Sequence, residues 1–108
     1  IAENVKTKEK QEIGCDGVFI FVVTEPHTEF LKGFVALDKH GFIKCDCARL
    51  RTKVAGVFAA GDCRVGAAMQ LATAVADGVQ GALMVKQYFR DPNWWNTNVE
   101  DQLQPGQW

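Results

Sequence analysis

Thr52-Lys-Val-Ala-Gly-Val-Phe-Ala-Ala-Gly-Asp62, followed by Gln70-Leu-Ala-Thr-Ala-Val-Ala-Asp-Gly78, is the stretch on which the fold turns. Gly56 to Ala60 reads as a short buried strand that runs into a glycine turn at Gly61-Asp62. A loop containing Gly66 follows, and an apolar helix is expected from about Ala67 to Phe89. That helix carries only two charges, Asp77 and Lys86, and is rich in Ala and Gly. Such a segment reads as buried all round, with small residues that let other backbone or a ligand come close. Leu71, Val75, Val79, Leu83 and Met84 follow the spacing of a core stripe. The order strand, glycine turn, helix places Asp62 at a strand's end, opposite a helix N-terminus. Open α/β sheets bind ligands there. Asp62 either accepts hydrogen bonds from ligand hydroxyls or merely caps the loop or helix, and spacing leaves both open.

Working towards the amino terminus, Arg49 to Val54 is a polar connector. Before it, Val35–Leu37 and Phe42–Lys44 read as two short strands joined by Asp38-Lys39-His40-Gly41, with Gly41 free to take a positive φ. Thr28 to Leu31 fits one helical turn capped by Thr28 and stopped at Gly33. Pro26 separates that turn from Gly17-Val-Phe-Ile-Phe-Val-Val23, a continuous apolar run expected to be a strand buried on both faces. Lys6 to Glu12 is polar and has no assigned element. Beyond the long helix, Arg90-Asp91-Pro92 ends it, and Asn93 to Trp108 reads as an appended arm containing Trp94, Trp95 and Trp108.

The chain has 108 residues, the size of one domain. At 47% hydrophobic and 23% charged it is too apolar to be disordered. Twelve basic and thirteen acidic residues without long runs argue against a nucleic-acid partner, which needs a basic face. Val65 to Ala76, the longest uncharged stretch, is too short to span a bilayer. Ile1-Ala2-Glu3-Asn4 has no signal-peptide character and no initiator Met, so the chain is expected to be a piece of something longer. Cys15, Cys45, Cys47 and Cys63 are expected to be free thiols in a reducing cytoplasm. Cys45-Asp46-Cys47 is not a Cys-x-x-Cys redox pair, and with His40 it makes only half a metal site, so no metal is expected.

The Thr52–Asp62 and Gln70–Gly78 segments together resemble the C-terminal flavin-binding signature of two-domain pyridine nucleotide–disulfide oxidoreductases, above all the low-molecular-weight, bacterial-type thioredoxin reductases. Asp16-Gly-Val-Phe-Ile-Phe-Val-Val-Thr-Glu-Pro-His-Thr-Glu-Phe30 is similar to the segment where that family's chain leaves its nucleotide domain and returns to the flavin domain. The likeness covers about Cys15 to Tyr88. It implies an α/β fold, the C-terminal part of a Rossmann-like FAD/NAD(P)-binding flavoprotein. Residues 1–29 would end the NAD(P)-binding domain and cross over, 30–90 would form the C-terminal half of the FAD-binding domain, and 91–108 the Trp-containing tail.

The resemblance further implies that Asp62, beside Gly61, serves the ribityl chain of FAD. Gln70 and the amide of Leu71 would face the pyrimidine edge of the isoalloxazine, and Met69 and Thr73 would belong to the same cofactor-binding set. A helix N-terminus there favours the negative charge of reduced flavin. Gly56, Gly61 and Gly78 would pack closely. Two departures stand out. Met69 replaces an arginine common in the family, which removes a cation from the cofactor side. Val23-Thr-Glu-Pro26-His27 replaces Gly-x-x-Pro-Asn, and His27 is read as a crossing-loop residue rather than a base. No Gly-x-Gly-x-x-Gly fingerprint occurs, so the chain is not expected to catalyse alone. The intact protein implied is a cytoplasmic homodimer passing electrons from NADPH through FAD to thioredoxin or a thioredoxin-like protein. A peroxiredoxin-linked or ferredoxin-type reductase of the same fold, or a non-catalytic interaction module, are the alternatives. For the tail, packing on the domain or a dimer interface is set against a tryptophan lid over the flavin.

Overall fold

The computed structural model describes residues 1–22 and 24–97. Two short strands, β1 (Ala2–Glu3) and β2 (Lys10–Gln11), pair antiparallel with Ala2 opposite Gln11. Their turn forms because the Asn4 carboxamide oxygen accepts the N–H groups of Lys6 at 2.9 Å and Thr7 at 3.2 Å. The polar Lys6–Glu12 stretch, unassigned from sequence, thus closes a hairpin. Every residue of 1–22 is exposed.

The Val18–Val23 expectation is overturned over its described part. Val18, Phe19, Ile20, Phe21 and Val22 take no regular structure and are 77–93% exposed. A strand buried on both faces needs a neighbour on each edge and a layer on each side. No described residue pairs with this run. Val23 itself lies outside the described residues.

The core lies in the middle of the chain, between residues 31 and 63. Glu29–Leu31 forms a single 3-10 turn, and Gly33 follows with φ +82°. Thr28 precedes the turn but does not cap it; its hydroxyl donates to the Gly41 carbonyl instead, which ties the Pro26–Thr28 segment to the next hairpin. In that hairpin Leu37 bridges Ile43 antiparallel. Gly41 adopts φ +90°, and the Asp38 carboxylate accepts the N–H groups of His40 at 2.8 Å and Phe42 at 2.9 Å. Ile43 then pairs in parallel with Arg64, donating its N–H to the Cys63 carbonyl at 2.9 Å and accepting from Val65 at 2.9 Å. The expected Gly56–Ala60 strand reduces to a bridge between Phe58 and Arg51, with Ala59 buried beneath it. Val35, Ile43 and Ala59 form the core, with Leu31, Leu37, Val54 and Val57 packed around them.

Helix α1 (Leu71–Arg90) is 20 residues long, so it begins four residues after the expected start at Ala67. Met69 explains the late start: its φ of +55° breaks the helical path, and Gln70 becomes the N-cap. The expectation of a helix buried all round is also corrected. Only Asp77 and Gly81 are buried, while Leu71, Val75, Val79 and Leu83 are 56–84% exposed. The apolar stripe is present, and nothing among the described residues covers it. Gly78 meets nothing within 4 Å, so its expected packing role passes to Gly81, where a Cβ would lie 3.8 Å from Ala60 and Leu50.

Pro92–Asn96 forms a second 3-10 turn, capped by the Asp91 carboxylate on the Asn93 N–H at 3.0 Å. Trp94 is only 3% exposed, with the Arg49 and Arg51 guanidinium carbons 5.2 and 5.4 Å from its ring centroid. Trp95 meets Phe58 and Tyr88 edge-on, at 5.0 and 5.4 Å. These two tryptophans therefore pack on the chain's own surface. They sit beyond the carboxyl end of a helix about 30 Å long, far from Gln70, which removes them as a lid over the helix start. Trp108 lies outside the described residues.

Candidate functional site

The candidate site grows from Gly61. Its φ of +81° is open to glycine and costly for other residues, and it turns the chain directly after the Phe58–Ala60 segment. A Cβ at Gly61 would lie 3.8 Å from the Ala74 Cβ, so the turn rests against the first helical turn of α1. The Gly61 N–H donates to Asp77 Oδ2 at 2.8 Å. Arg64 Nε donates to the same oxygen, and Arg64 Nη2 donates to Oδ1 at 2.8 Å. One helix carboxylate thus holds both sides of the loop that carries Asp62.

The electrostatics follow. The bidentate Arg64 guanidinium holds the Asp77 carboxyl below the usual carboxylate range, against an opposing push from burial, and the Gly61 N–H adds to the lowering. The hydrogen bonds that Arg64 donates to Asp77 in turn raise Arg64 above an ordinary arginine. Both side chains are 11% exposed, so the pair is largely shielded from water.

Asp62, between the two tethered residues, is exposed, and its carboxylate has no hydrogen-bond partner among the described residues. It caps neither the loop nor the helix. Gln70 stands at the N-cap with φ −125° and no side-chain cap, and the first turn contains no acidic residue. The first intrahelical bond runs from the Ala74 N–H to the Gln70 carbonyl at 3.0 Å, which leaves the amides of Leu71, Ala72 and Thr73 ahead of the ladder. Thr73 Oγ1 donates back to the Gln70 carbonyl at 2.8 Å and so does not cap these amides. Met69 is held at φ +55°, a left-handed conformation costing about 1–3 kcal/mol for a non-glycine residue, and such strain gathers at ligand sites.

Gly61 rests on the first turn of α1 with Asp62 next to it in the chain, and Met69, Gln70, Leu71 and Thr73 lie at that helix's start. An exposed carboxylate acceptor on the clasped loop and uncapped helix amides at the positive end of the dipole are the polar groups that this end of α1 offers a ligand. Sequence reading missed the part played by Asp77 and Arg64. The advance signal was Asp77 itself, the one acidic residue in a mostly apolar helix.

The remaining candidates lie elsewhere. All four cysteines are free, with Cys15 and Cys47 exposed. Burial pushes the Cys45 thiol upward, disfavouring its reactive form. Cys63 donates its thiol to the Ala60 carbonyl at 3.3 Å. His27, next to Pro26, is exposed. Among those residues no cluster of three His, Cys, Asp or Glu side chains is placed to hold a metal ion.

A family profile described as pyridine nucleotide-disulphide oxidoreductase matches residues 1–78. Over 88 residues the chain is 47% identical to a 34.2 kDa protein in the rubredoxin operon of Clostridium pasteurianum, covering 82% of this chain and 28% of that protein. It is 40% identical over 86 residues to the thioredoxin reductase of Rickettsia prowazekii, covering 80% of this chain and 28% of that enzyme. Among solved structures, the thioredoxin reductase of T. acidophilum superposes with a TM-score of 0.65 at 43% identity, covering 82% of this chain and 29% of that one. The chain spans about 28% of the length of the curated relatives it matches.

Proposed function

The chain belongs to the pyridine nucleotide–disulfide oxidoreductase family, and from that premise we propose that it is the C-terminal part of a thioredoxin-reductase-like flavoprotein. The intact protein passes electrons from NADPH through FAD to the disulfide of thioredoxin or a thioredoxin-like protein. Residues 1–29 end its NAD(P)-binding domain and cross over, 30–90 complete its FAD-binding domain, and 91–108 are the tail. What supports this reading is an exposed Asp62 in a loop pinned to α1 by Asp77, together with the uncapped amino end of that helix.

FAD, when bound, supplies the redox chemistry. The chain's own residues bind and orient it. Asp62 accepts hydrogen bonds from ribityl hydroxyls, and Gly61 lets the backbone approach without a side chain in the way. Gln70 and the Leu71 amide would hold the pyrimidine edge, where the helix dipole favours negative charge, and Thr73 would support them by its bond to the Gln70 carbonyl. Met69, held in a strained conformation, fixes where the helix begins. It also stands where the resemblance expects an arginine, which favours, as a second reading, a reductant other than NADPH acting on the same fold.

The exposed Val18–Val22 run and the open stripe of α1 support packing against the remainder of the polypeptide and, in the assembly, a second copy. Among the described residues no helix is long and apolar enough to cross a membrane. Free thiols throughout support a reducing cytoplasm. The test is direct. The full-length protein should be yellow, with flavin absorbance bands, and should oxidise NADPH when given thioredoxin disulfide. A colourless full-length protein that binds no added FAD would end the proposal, and flavin reduction by another donor but not NADPH would select the second reading.

A further inference from the structure

We propose that Asp77 is a positioning residue of the flavin site, acting through Gly61 and Arg64 to fix the loop that presents Asp62. The inference rests on the reading that Asp62 serves the ribityl chain, and goes beyond it by naming what sets the Asp62 geometry. Asp77 is 8% exposed and lies in the second turn of α1. A buried carboxylate in a helix interior is costly unless its oxygens are fully engaged. Here both are, and all three donors come from the same short loop: the Gly61 N–H at 2.8 Å, Arg64 Nε, and Arg64 Nη2 at 2.8 Å.

Gly61 and Arg64 bracket Asp62. With both tethered to one helix carboxylate, the backbone that carries Asp62 is held against the first two turns of α1. Arg64 extends the clasp further. Its Nη1 faces the Val65 carbonyl at 3.4 Å and the Cys47 sulfur at 3.9 Å, and its backbone pairs with Ile43. The loop is therefore held between helix and hairpin. An ordinary helix position would be better filled by a small apolar residue. A carboxylate aimed at a glycine N–H and a bidentate arginine is suited to holding a loop in one conformation.

The experiment is a double-mutant cycle on the full-length flavoprotein, with the FAD dissociation constant read from recovery of FAD fluorescence. Asp77→Asn is expected to raise that constant on the order of tenfold or more in the native background. In the Asp62→Ala background it should change it by less than about twofold, because the loop then has nothing to present. Equal effects in both backgrounds, or none in the native one, overturn the positioning role while leaving the flavin site intact. No effect of Asp62→Ala alone overturns the flavin reading and the proposal together. Should Asp77→Asn fail to fold, Arg64→Lys keeps the charge but loses the bidentate grip. It is expected to weaken FAD binding while the far-ultraviolet circular dichroism of the apoprotein stays native, and unchanged FAD affinity there overturns the proposal.

Discussion

The two ends of α1 are built on opposite plans. The carboxyl end is closed by the chain itself: Trp94 is buried at 3% exposure under Arg49 and Arg51, and Trp95 wedges against Phe58 and Tyr88. Polar groups there are spent on one another, with Arg51 hydrogen-bonded to Asp46 and to the carbonyls of Trp94, Trp95 and Thr97. The amino end does the reverse. Gln70 offers no cap, Leu71 is 84% exposed, and the Asp62 carboxylate is unspent among the described residues. Yet this open end is not loose, because Asp77 anchors the adjoining loop. The contrast separates two uses of polar chemistry on a single helix: at one end it completes packing, and at the other it is held in place and kept available.

The largest expected effect strikes the closed end. Trp94→Ala removes the most buried aromatic ring and the surface beneath two guanidinium groups, and should cost about 3–5 kcal/mol of stability. Denaturant unfolding of the full-length protein measures it. FAD affinity, read well below the unfolding transition, should not move; a parallel loss of FAD binding would break the separation of the ends. Asp62→Ala should do the opposite, weakening FAD binding by about 1.5–3 kcal/mol while leaving apoprotein stability unchanged. Calorimetric titration with FAD reads this, and a stability loss without an affinity loss would return Asp62 to a structural role.

Arg51→Ala comes next, at about 1–3 kcal/mol of stability, since it strands Asp46 and several carbonyls in a partly exposed site. Acid adds a shared signature. Burial pushes the Asp46 carboxyl up, but Arg51 and the N–H groups of Arg49 and Ala48 outweigh it and hold it below its ordinary 3.8. Arg64 does the same for Asp77, also below 3.8. A carboxylate lowered on folding stabilises the fold above its unfolded value. That contribution is lost as pH falls below about 3.8 through the lower folded value. Stability measured from pH 6 down to pH 2 should therefore fall less steeply in Asp77→Asn than in the native protein, and an unchanged slope would show that the Arg64 pair contributes nothing.

What the sequence disclosed follows from the range over which each feature is determined. Gly41 and Gly33 mark turns that depend on a few neighbouring residues, and both appear where the pattern puts them. The long helix is legible in its spacing, though its start moved to Leu71 because the left-handed backbone of Met69 leaves no mark in composition. Burial was the less legible quantity. Periodicity identifies which face of α1 is apolar, and a continuous run identifies Val18–Val22 as apolar, but neither says what covers them. The Arg64–Asp77 clasp joins residues 13 positions apart through side-chain geometry, and the arginines over Trp94 reach across more than 40, so neither leaves a local motif. The glycine turn at Gly61 and the helix after it were legible because they follow one another directly in the chain.

The smallest expected effect concerns Cys63, the thiol adjacent to Asp62 and so the one nearest the open end in sequence. Its backbone carbonyl accepts from Ile43, a bond that any side chain at this position preserves. Its thiol donates to the Ala60 carbonyl, and it packs beside the Val35–Ile43–Ala59 core. A serine hydroxyl can donate to the same carbonyl, so Cys63→Ser should change stability by less than about 1 kcal/mol and leave FAD binding as it was. Turnover by the full-length protein should be unchanged as well, because the thiol already has a structural partner and no second cysteine is bonded to it. Steady-state kinetics with the FAD content measured in parallel gives the answer. Lost turnover with FAD fully retained would mean that the chemistry of the open end extends past Asp62 into the loop, and that Arg64 and Asp77 hold a reactive thiol in place as well as a carboxylate.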